Sequence, residues 1–262
     1  MPRYKLTIEY AGTRYSGWQI QQNARTVQGE VNRALATAAG LPRVDSYGSG
    51  RTDAGVHALR QIAHADLPKA LPPATLIARV NDALPHDINL LAAEPVPARF
   101  HARHSAVARS YVYQISRRRT AFAKPYVWWV RETLAVDRMR EMAHAFVGLG
   151  DFRAFTDDDP EEKSTRVLLE ALTIEETGAL ILIRVVGSHF LWKMVRRVVG
   201  VMVEVGRGGL TPEAAAALLQ HDSDLPARLT APAAGLFLER VFYPGEPHDW
   251  PLVPVFNLTS ET

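Results

Sequence analysis

The chain has 262 residues, 47% of them hydrophobic, enough for one large or two small domains with a real core. Cysteine is absent, which excludes disulfides, thiolate metal sites and a cysteine nucleophile, and no apolar run approaches the about 18 residues of a membrane span. The formal net charge is only +2, yet just five of the 30 basic residues are lysine, a bias that suits phosphate and base contacts and that a GC-rich genome or a hot habitat would also give.

Residues 5–10 alternate apolar and polar side chains, which predicts a half-buried strand ended by Gly12 and Gly17. Thr26 is placed to cap a helix carrying Val27, Val31 and Leu35, stopped by Gly40 and Pro42. Residues 59–65 read as a strand, 74–84 as a helix, and 88–94 and 107–115 as strands. The second half repeats this grammar with a strand at 126–131, a helix at 136–147, strands at 167–175 and 180–186, and a long helix from Phe190. Thr211 and Pro212 then open a helix reaching Gln220, and 235–243 closes as a strand. Alternation without a repeat period predicts an α+β protein of two related units, residues 1–116 and 117–262, sharing one sheet. The N-terminus opens directly into a strand with no signal-peptide pattern, so a soluble, cytoplasmic protein is expected.

Chemistry concentrates in residues 47–58, YGSGRTDAGVHA. Gly48, Gly50 and Gly55 permit tight turns and close approach, and Asp53 sits among them with Arg51 two residues before it to favour the ionised carboxylate. A loop carboxylate on a rigid scaffold is a candidate nucleophile or base, although Asp-Ala-Gly equally makes an ordinary capped turn. Arg99, Arg103, Arg109 and the arginines at 117–119 crowd one region with His101 and His104, a basic surface, whereas the acidic run 157–162 reads as a solvated connection. Tyr111, Tyr113 and Arg109 share one strand face, for base contact or for a cross-strand aromatic ladder, and Trp18 reads as core or loop support. After Phe190, Leu191, Met194, Val195, Val198 and Met202 take one helix side and Lys193, Arg196 and Arg197 the other, a basic face near solvent. His101 and His104 with His57 or His64 imitate a metal cluster, but no HExxH or carboxylate pairing accompanies them. No metal and no cofactor is expected.

The stretch GRTDAGVHA at 50–58 is similar to the signature of the tRNA pseudouridine synthase A family. Four further stretches agree in type and order: YKLTIEYAGTRYSGWQ at 4–19, SAVARSYVYQI at 105–115, FLWKMVRRVVG at 190–200 and APAAGLFLERVFY at 231–243. The resemblance implies two ferredoxin-like, RRM-like halves around a central, mostly antiparallel sheet with a cleft between them. It makes Asp53 the catalytic aspartate, Arg196 its ion-pair partner, Tyr111 the residue that stacks on the target base and assists proton transfer, and Leu236 the packing beneath the uracil. Arg51, Arg109, Lys193 and Arg197 are the expected substrate-binding basic residues. The implied reaction isomerises uridine to pseudouridine at positions 38, 39 and 40 of the tRNA anticodon stem-loop, in a homodimer without cofactor, membrane or DNA partner. His189 before Phe190 departs from the smaller residues expected there. The rivals are a non-catalytic RNA-binding protein, a pseudouridine synthase of another RNA specificity, and a glycosidic-bond hydrolase, which usually needs two cooperating carboxylates.

Overall fold

Residues 1–259 are described by a computed structural model, along which run β1 (Arg3–Tyr10), α1 (Val27–Ala39), β2 (Ser46–Gly48), β3 (His57–Asp66), α2 (Pro73–Ala83), β4 (Ile88–Val96), β5 (Ala108–Ser116) and β6 (Trp128–Trp129). There follow α3 (Val136–Phe146), β7 (Gly148–Asp151), β8 (Arg166–Thr177), β9 (Leu180–Gly187), α4 (Met194–Arg207), α5 (Pro212–Ala217), α6 (Leu225–Arg228) and β10 (Leu236–Phe242). The chain is mixed α+β, as its alternating patterns predict. It divides into a first unit, Met1–Val107 with Phe237–Glu246, and a second, Ala108–Leu236 with the residues from Pro247 onward.

In the first unit β1 lies between β4 and β3, antiparallel to both, while β2 pairs with β3 and the start of β10 runs parallel to β3. The alternation of β1 buries Tyr4, Leu6, Ile8 and Tyr10, and the unit's other buried side chains include Val27, Val31 and Leu35 of α1 and Leu76 and Val80 of α2. Thr26 caps α1 by accepting from Gly29 N at 3.3 Å, and Gly40 ends it in the left-handed region at φ 66°. Three-residue β2 carries too little pattern to be read from sequence.

His64, on β3, is 3% exposed and accepts from Ala102 N at 3.2 Å through Nδ1. Burial first, then the Arg3 guanidinium and His101, push its imidazole down to about 4 from 6.5. The unfolded chain therefore takes up a proton that the folded unit refuses across that window. Stability is full above about pH 6.5 and declines as pH falls towards 4, by about 3 kcal/mol at most. His64→Asn keeps an acceptor for Ala102 and is expected to flatten the decline; urea midpoints falling in parallel for both proteins would refute this.

In the second unit β5, β9, β8 and β7 pair antiparallel in that order, and β6 runs parallel to the end of β5. Every residue of β9 is buried, as its apolar run, broken only by Arg184, requires of a strand covered on both faces. Leu252 and Leu258 of the C-terminal segment pack on Ala123, Val127, Leu180 and Leu182. Arg184, in the middle of β9, donates to Trp250 O at 2.8 Å and Pro251 O at 2.9 Å and lies 4.2 Å from the Trp250 ring.

The helix expected to reach Gln220 ends at Ala217, and two other elements depart further from their sequence pattern. The strand expected over 126–131 shrinks to β6, because Pro125 has no N–H for a ladder and seats a 3-10 turn, Lys124–Tyr126. The helix expected from Phe190 begins at Met194: Asp158 accepts from Trp192 N at 2.9 Å, and Lys193 turns into the left-handed region at φ 61°. The acidic run expected as a solvated connection is what fixes this entrance. Asp157 pairs with Lys193 at 2.7 Å and with Arg197, whose side chain is 5% exposed, and Asp158 pairs with Lys163 at 2.7 Å. Burial alone would raise both carboxyls, but these bonds hold them below the usual range.

Candidate active site

Asp53 is half-buried on the loop between β2 and β3, and the backbone around it is fixed from both sides. Ser49 N donates to Ile62 O at 2.7 Å, Ser49 Oγ donates to Gln61 Oε1 at 2.8 Å, and Gln61 Nε2 donates to Gly50 O at 3.1 Å. On the other side, Trp18 N donates to Thr52 O at 3.1 Å, the Tyr10 and Thr52 hydroxyls are 2.8 Å apart, and Gly55 N donates to Tyr15 O at 3.3 Å. Gly12 N donates to Nδ1 of His57, whose ring stacks on Phe237 with centroids 4.7 Å apart. Tyr15 is itself held: its hydroxyl donates to Asp87 at 2.5 Å under the Arg25 guanidinium, and burial followed by that bond pushes the phenol well up.

Val56 N closes the turn on Asp53 O at 3.1 Å, with Gly55 in the left-handed region at φ 79°. The turn that carries Asp53 is thus set by backbone groups of residues 49–56 and by the side chains of Tyr10, Ser49, Thr52 and Gln61. Arg51 is exposed on the same loop. Trp18 is 1% exposed against Gly48, where a Cβ would lie 2.5 Å from its indole nitrogen, and it supports the loop from within.

The second unit gathers another set. Tyr111 of β5 is 8% exposed and stands edge-on to Phe190, with centroids 5.0 Å apart at 80°. Two residues earlier, Arg109 donates to Ser188 O at 3.0 Å. Arg196 Nε donates to Ala231 O at 2.8 Å while Ala231 N donates to Arg196 O at 3.0 Å. The Tyr113 hydroxyl donates to Pro232 O at 2.8 Å, and a Cβ on Gly235 would lie 2.6 Å from the Tyr113 ring. Arg196 and Tyr113 thus grip the backbone that delivers Leu236, 5% exposed, at the head of β10. Burial raises the Tyr113 phenol well above its ordinary range, against the opposing charge of Arg196. Of the two tyrosines offered by the strand pattern, Tyr113 is the structural one.

Sequence reasoning placed Asp53 and Arg51 on one loop and Arg109 and Tyr111 on one strand. It missed Tyr10, Thr52 and Gln61 as braces and Asp157 as the clamp on Lys193 and Arg197. The inward phase of Tyr10 in β1 was the available signal for the first. Among the described residues no group of three His, Asp or Glu is placed to hold a metal ion, and no helix is long and apolar enough to cross a membrane.

A family model described as tRNA pseudouridine synthase matches residues 6–105 and 142–244. The tRNA pseudouridine synthase A of Rhodopseudomonas palustris (strain BisA53) is 43% identical over 246 residues, 93% of this chain and 100% of that protein. The proteins of the same name from Beijerinckia indica and Aquifex aeolicus are 40% and 39% identical, over 98% and 92% of this chain and 100% and 99% of their own lengths. A solved Cbf5-Nop10-Gar1 complex is similar only at a TM-score of 0.33, with 11% identity over 76% of this chain and 54% of its own. The first matched range holds the Asp53 loop and the second holds α4 with Arg196 and the turn before Leu236, while Arg109 and Tyr111 fall between the two. With both ranges matched in order and relatives of about 40% identity along nearly the whole length, the chain belongs to the tRNA pseudouridine synthase family.

Proposed function

We propose that this protein isomerises uridine to pseudouridine at positions 38, 39 and 40 of the tRNA anticodon stem-loop. Its family makes it an isomerase acting on tRNA. The observation that carries the reading is the Asp53 loop, inside the matched range and braced on both sides by Tyr10, Tyr15, Trp18, Gln61 and Ile62. The reaction breaks the N1–C1′ bond, turns the uracil and joins C5 to C1′; the C5 hydrogen leaves as a proton and N1 gains one, so the atoms balance. No electrons are gained or lost overall.

In this reading Asp53 supplies the reacting carboxylate, Arg196 is its ion-pair partner, Tyr111 stacks on the base and Leu236 packs beneath it. Arg51 and Arg109 contact the RNA. Lys193, one-third exposed, does so beside its pair with Asp157, and Arg197, buried against Asp157, supports it from below. Extracting the uridine from its stack costs a few kcal/mol, which stacking worth about 1–3 kcal/mol and arginine–phosphate contacts offset. We read residues 1–116 and 117–262 as ferredoxin-like halves of a cytoplasmic homodimer.

The test is an anticodon-arm transcript carrying tritium on uridine C5, incubated without metal or nucleotide. Wild-type protein is expected to release tritium to water, since joining through C5 expels that hydrogen. Tight RNA binding without release would favour a non-catalytic binder. Release only from uridines elsewhere in RNA would favour another specificity. Arg196→Ala is expected to lower turnover about a hundredfold while RNA affinity changes by less than about threefold. Equal losses in the rate and in a binding titration would refute its role. Arg196→Lys, which keeps the charge but loses the bond to Ala231, separates charge from support.

A further inference from the structure

The segment 97–105 has no regular secondary structure, yet its backbone is held at many points. Arg3 donates to Ala98 O at 2.6 Å and Phe100 O at 2.8 Å while paired with Asp66 at 2.7 Å. The Tyr243 hydroxyl donates to Ala102 O at 2.8 Å, opposite the bond from Ala102 N to His64. Ser105 Oγ accepts from His101 N at 3.0 Å, and His101 Nδ1 accepts from Arg103 N at 3.2 Å and His104 N at 3.3 Å. A loop fixed in this way loses little entropy on binding.

What it displays is basic and aromatic. Arg99, Arg103 and His104 are exposed, and His101 is half-buried between the His64 and His104 rings at 4.6 and 4.3 Å. Tyr47 of β2, 54% exposed, stacks on His64 at 5.2 Å and reaches His101 at 6.4 Å. Two carboxylates near this surface are already engaged, Asp66 by Arg3 and Asp45 by Arg43. Burial and the neighbouring cationic groups His104, Arg3 and Arg103 hold the His101 imidazole below its ordinary range, the sign of a positive field. A metal does not fit, because Nδ1 of both His64 and His101 accepts backbone N–H groups and no group of three metal ligands is formed among the described residues.

We propose that the 98–104 loop and Tyr47 form a second docking surface for the substrate RNA, with Arg103 and His104 on backbone phosphate and Tyr47 under an unpaired base. The inference rests on the tRNA reading above, and it adds a contact that positions the RNA without touching the reacting uridine. An exposed tyrosine beside fixed cations is the pairing that single-stranded RNA recognition uses.

The experiment compares wild type with Tyr47→Ala/Arg103→Gln/His104→Gln, using tritiated tRNA transcripts for rate and binding over a range of salt. The bonds from Arg3, Tyr243, Ser105, His64 and His101 that hold the loop stay in place in this variant, and thermal unfolding is followed beside binding; Arg103→Glu alone serves as the second variant, expected to weaken binding without loss of the fold. The triple variant is expected to bind about tenfold to a hundredfold more weakly, with the salt slope smaller by about 1–2 and kcat within about twofold. Unchanged affinity and slope would overturn the proposal. So would unchanged RNA binding with a shifted sedimentation coefficient, which would make the surface a contact between copies of this chain. If wild type binds tRNA but releases no tritium, the catalytic reading fails while the binding comparison still decides on this surface.

Discussion

Asp53→Asn is expected to abolish tritium release, by at least about a thousandfold, while leaving RNA affinity unchanged or slightly higher. The asymmetry follows from the way the loop is built. Turn closure from Val56 uses the Asp53 carbonyl, and the braces on Ser49, Gly50, Thr52 and Gly55 come from Gln61, Ile62, Tyr10, Trp18 and Tyr15. Asparagine keeps the side-chain size and the turn closed through the Asp53 carbonyl, so the folded loop is expected to persist. What it removes is the negative charge and the basicity, and positioned acid–base or nucleophilic groups commonly contribute 10²–10⁴-fold or more. Loss of one negative charge near RNA phosphates works in favour of binding. A variant that binds RNA normally and still releases tritium at near the wild-type rate would remove Asp53 from the chemistry. The non-catalytic alternative predicts silence from both proteins.

How much of this was legible in the sequence depends on the range of the forces involved. The alternation of residues 5–10 and the apolar run of β9 report local burial, and both elements stand where the pattern put them. Gly48 and Gly55 marked a loop of unusual backbone, and it is one: Gly55 adopts φ 79°, and Gly48 leaves room for Trp18. The braces were not legible, because Tyr10 is 42 residues from Thr52 in sequence and Gly12 is 45 from His57. A hydrogen bond between strands leaves no periodic trace.

The start of α4 shows the same limit. Helical periodicity put Arg197 on a polar face, but Asp157, 40 residues earlier, draws it into a buried pair. The first turn then yields to the carboxylate of Asp158, and the helix starts late. Charge pattern alone cannot tell a solvated acidic run from a clamp, since the difference lies in what the chain brings opposite it. The histidines at 64, 101 and 104 were visible as a group, yet their arrangement as an anchored basic loop depends on Arg3 and Tyr243, at opposite ends of the chain.

Gly17→Ala is expected to cost about 3 kcal/mol of stability and to lower turnover by more than tenfold, whereas Gly40→Ala should cost about 1 kcal/mol and leave turnover intact. Both glycines sit in the left-handed region, at φ 86° and 66°, so a methyl group brings comparable backbone strain to each. They differ in what surrounds that methyl. At Gly40, which ends α1, nothing lies within 4 Å of the added Cβ. At Gly17 it would lie 2.4 Å from the carbonyl oxygen of Thr52 and 3.2 Å from the carbonyl carbon of Asp53. These are backbone atoms, so no rotamer change relieves the clash, and either the 15–18 segment or the Asp53 loop must shift. A shift weakens the bonds from Trp18 N to Thr52 O and from Gly55 N to Tyr15 O together, since both cross the same seam. Displacing a reacting carboxylate by about 1 Å costs up to about a hundredfold in rate. The pair therefore separates strain in general from displacement of this loop. Equal effects of the two substitutions on turnover, at matched loss of stability, would show that the seam between residues 15–18 and 52–55 does not set the position of Asp53.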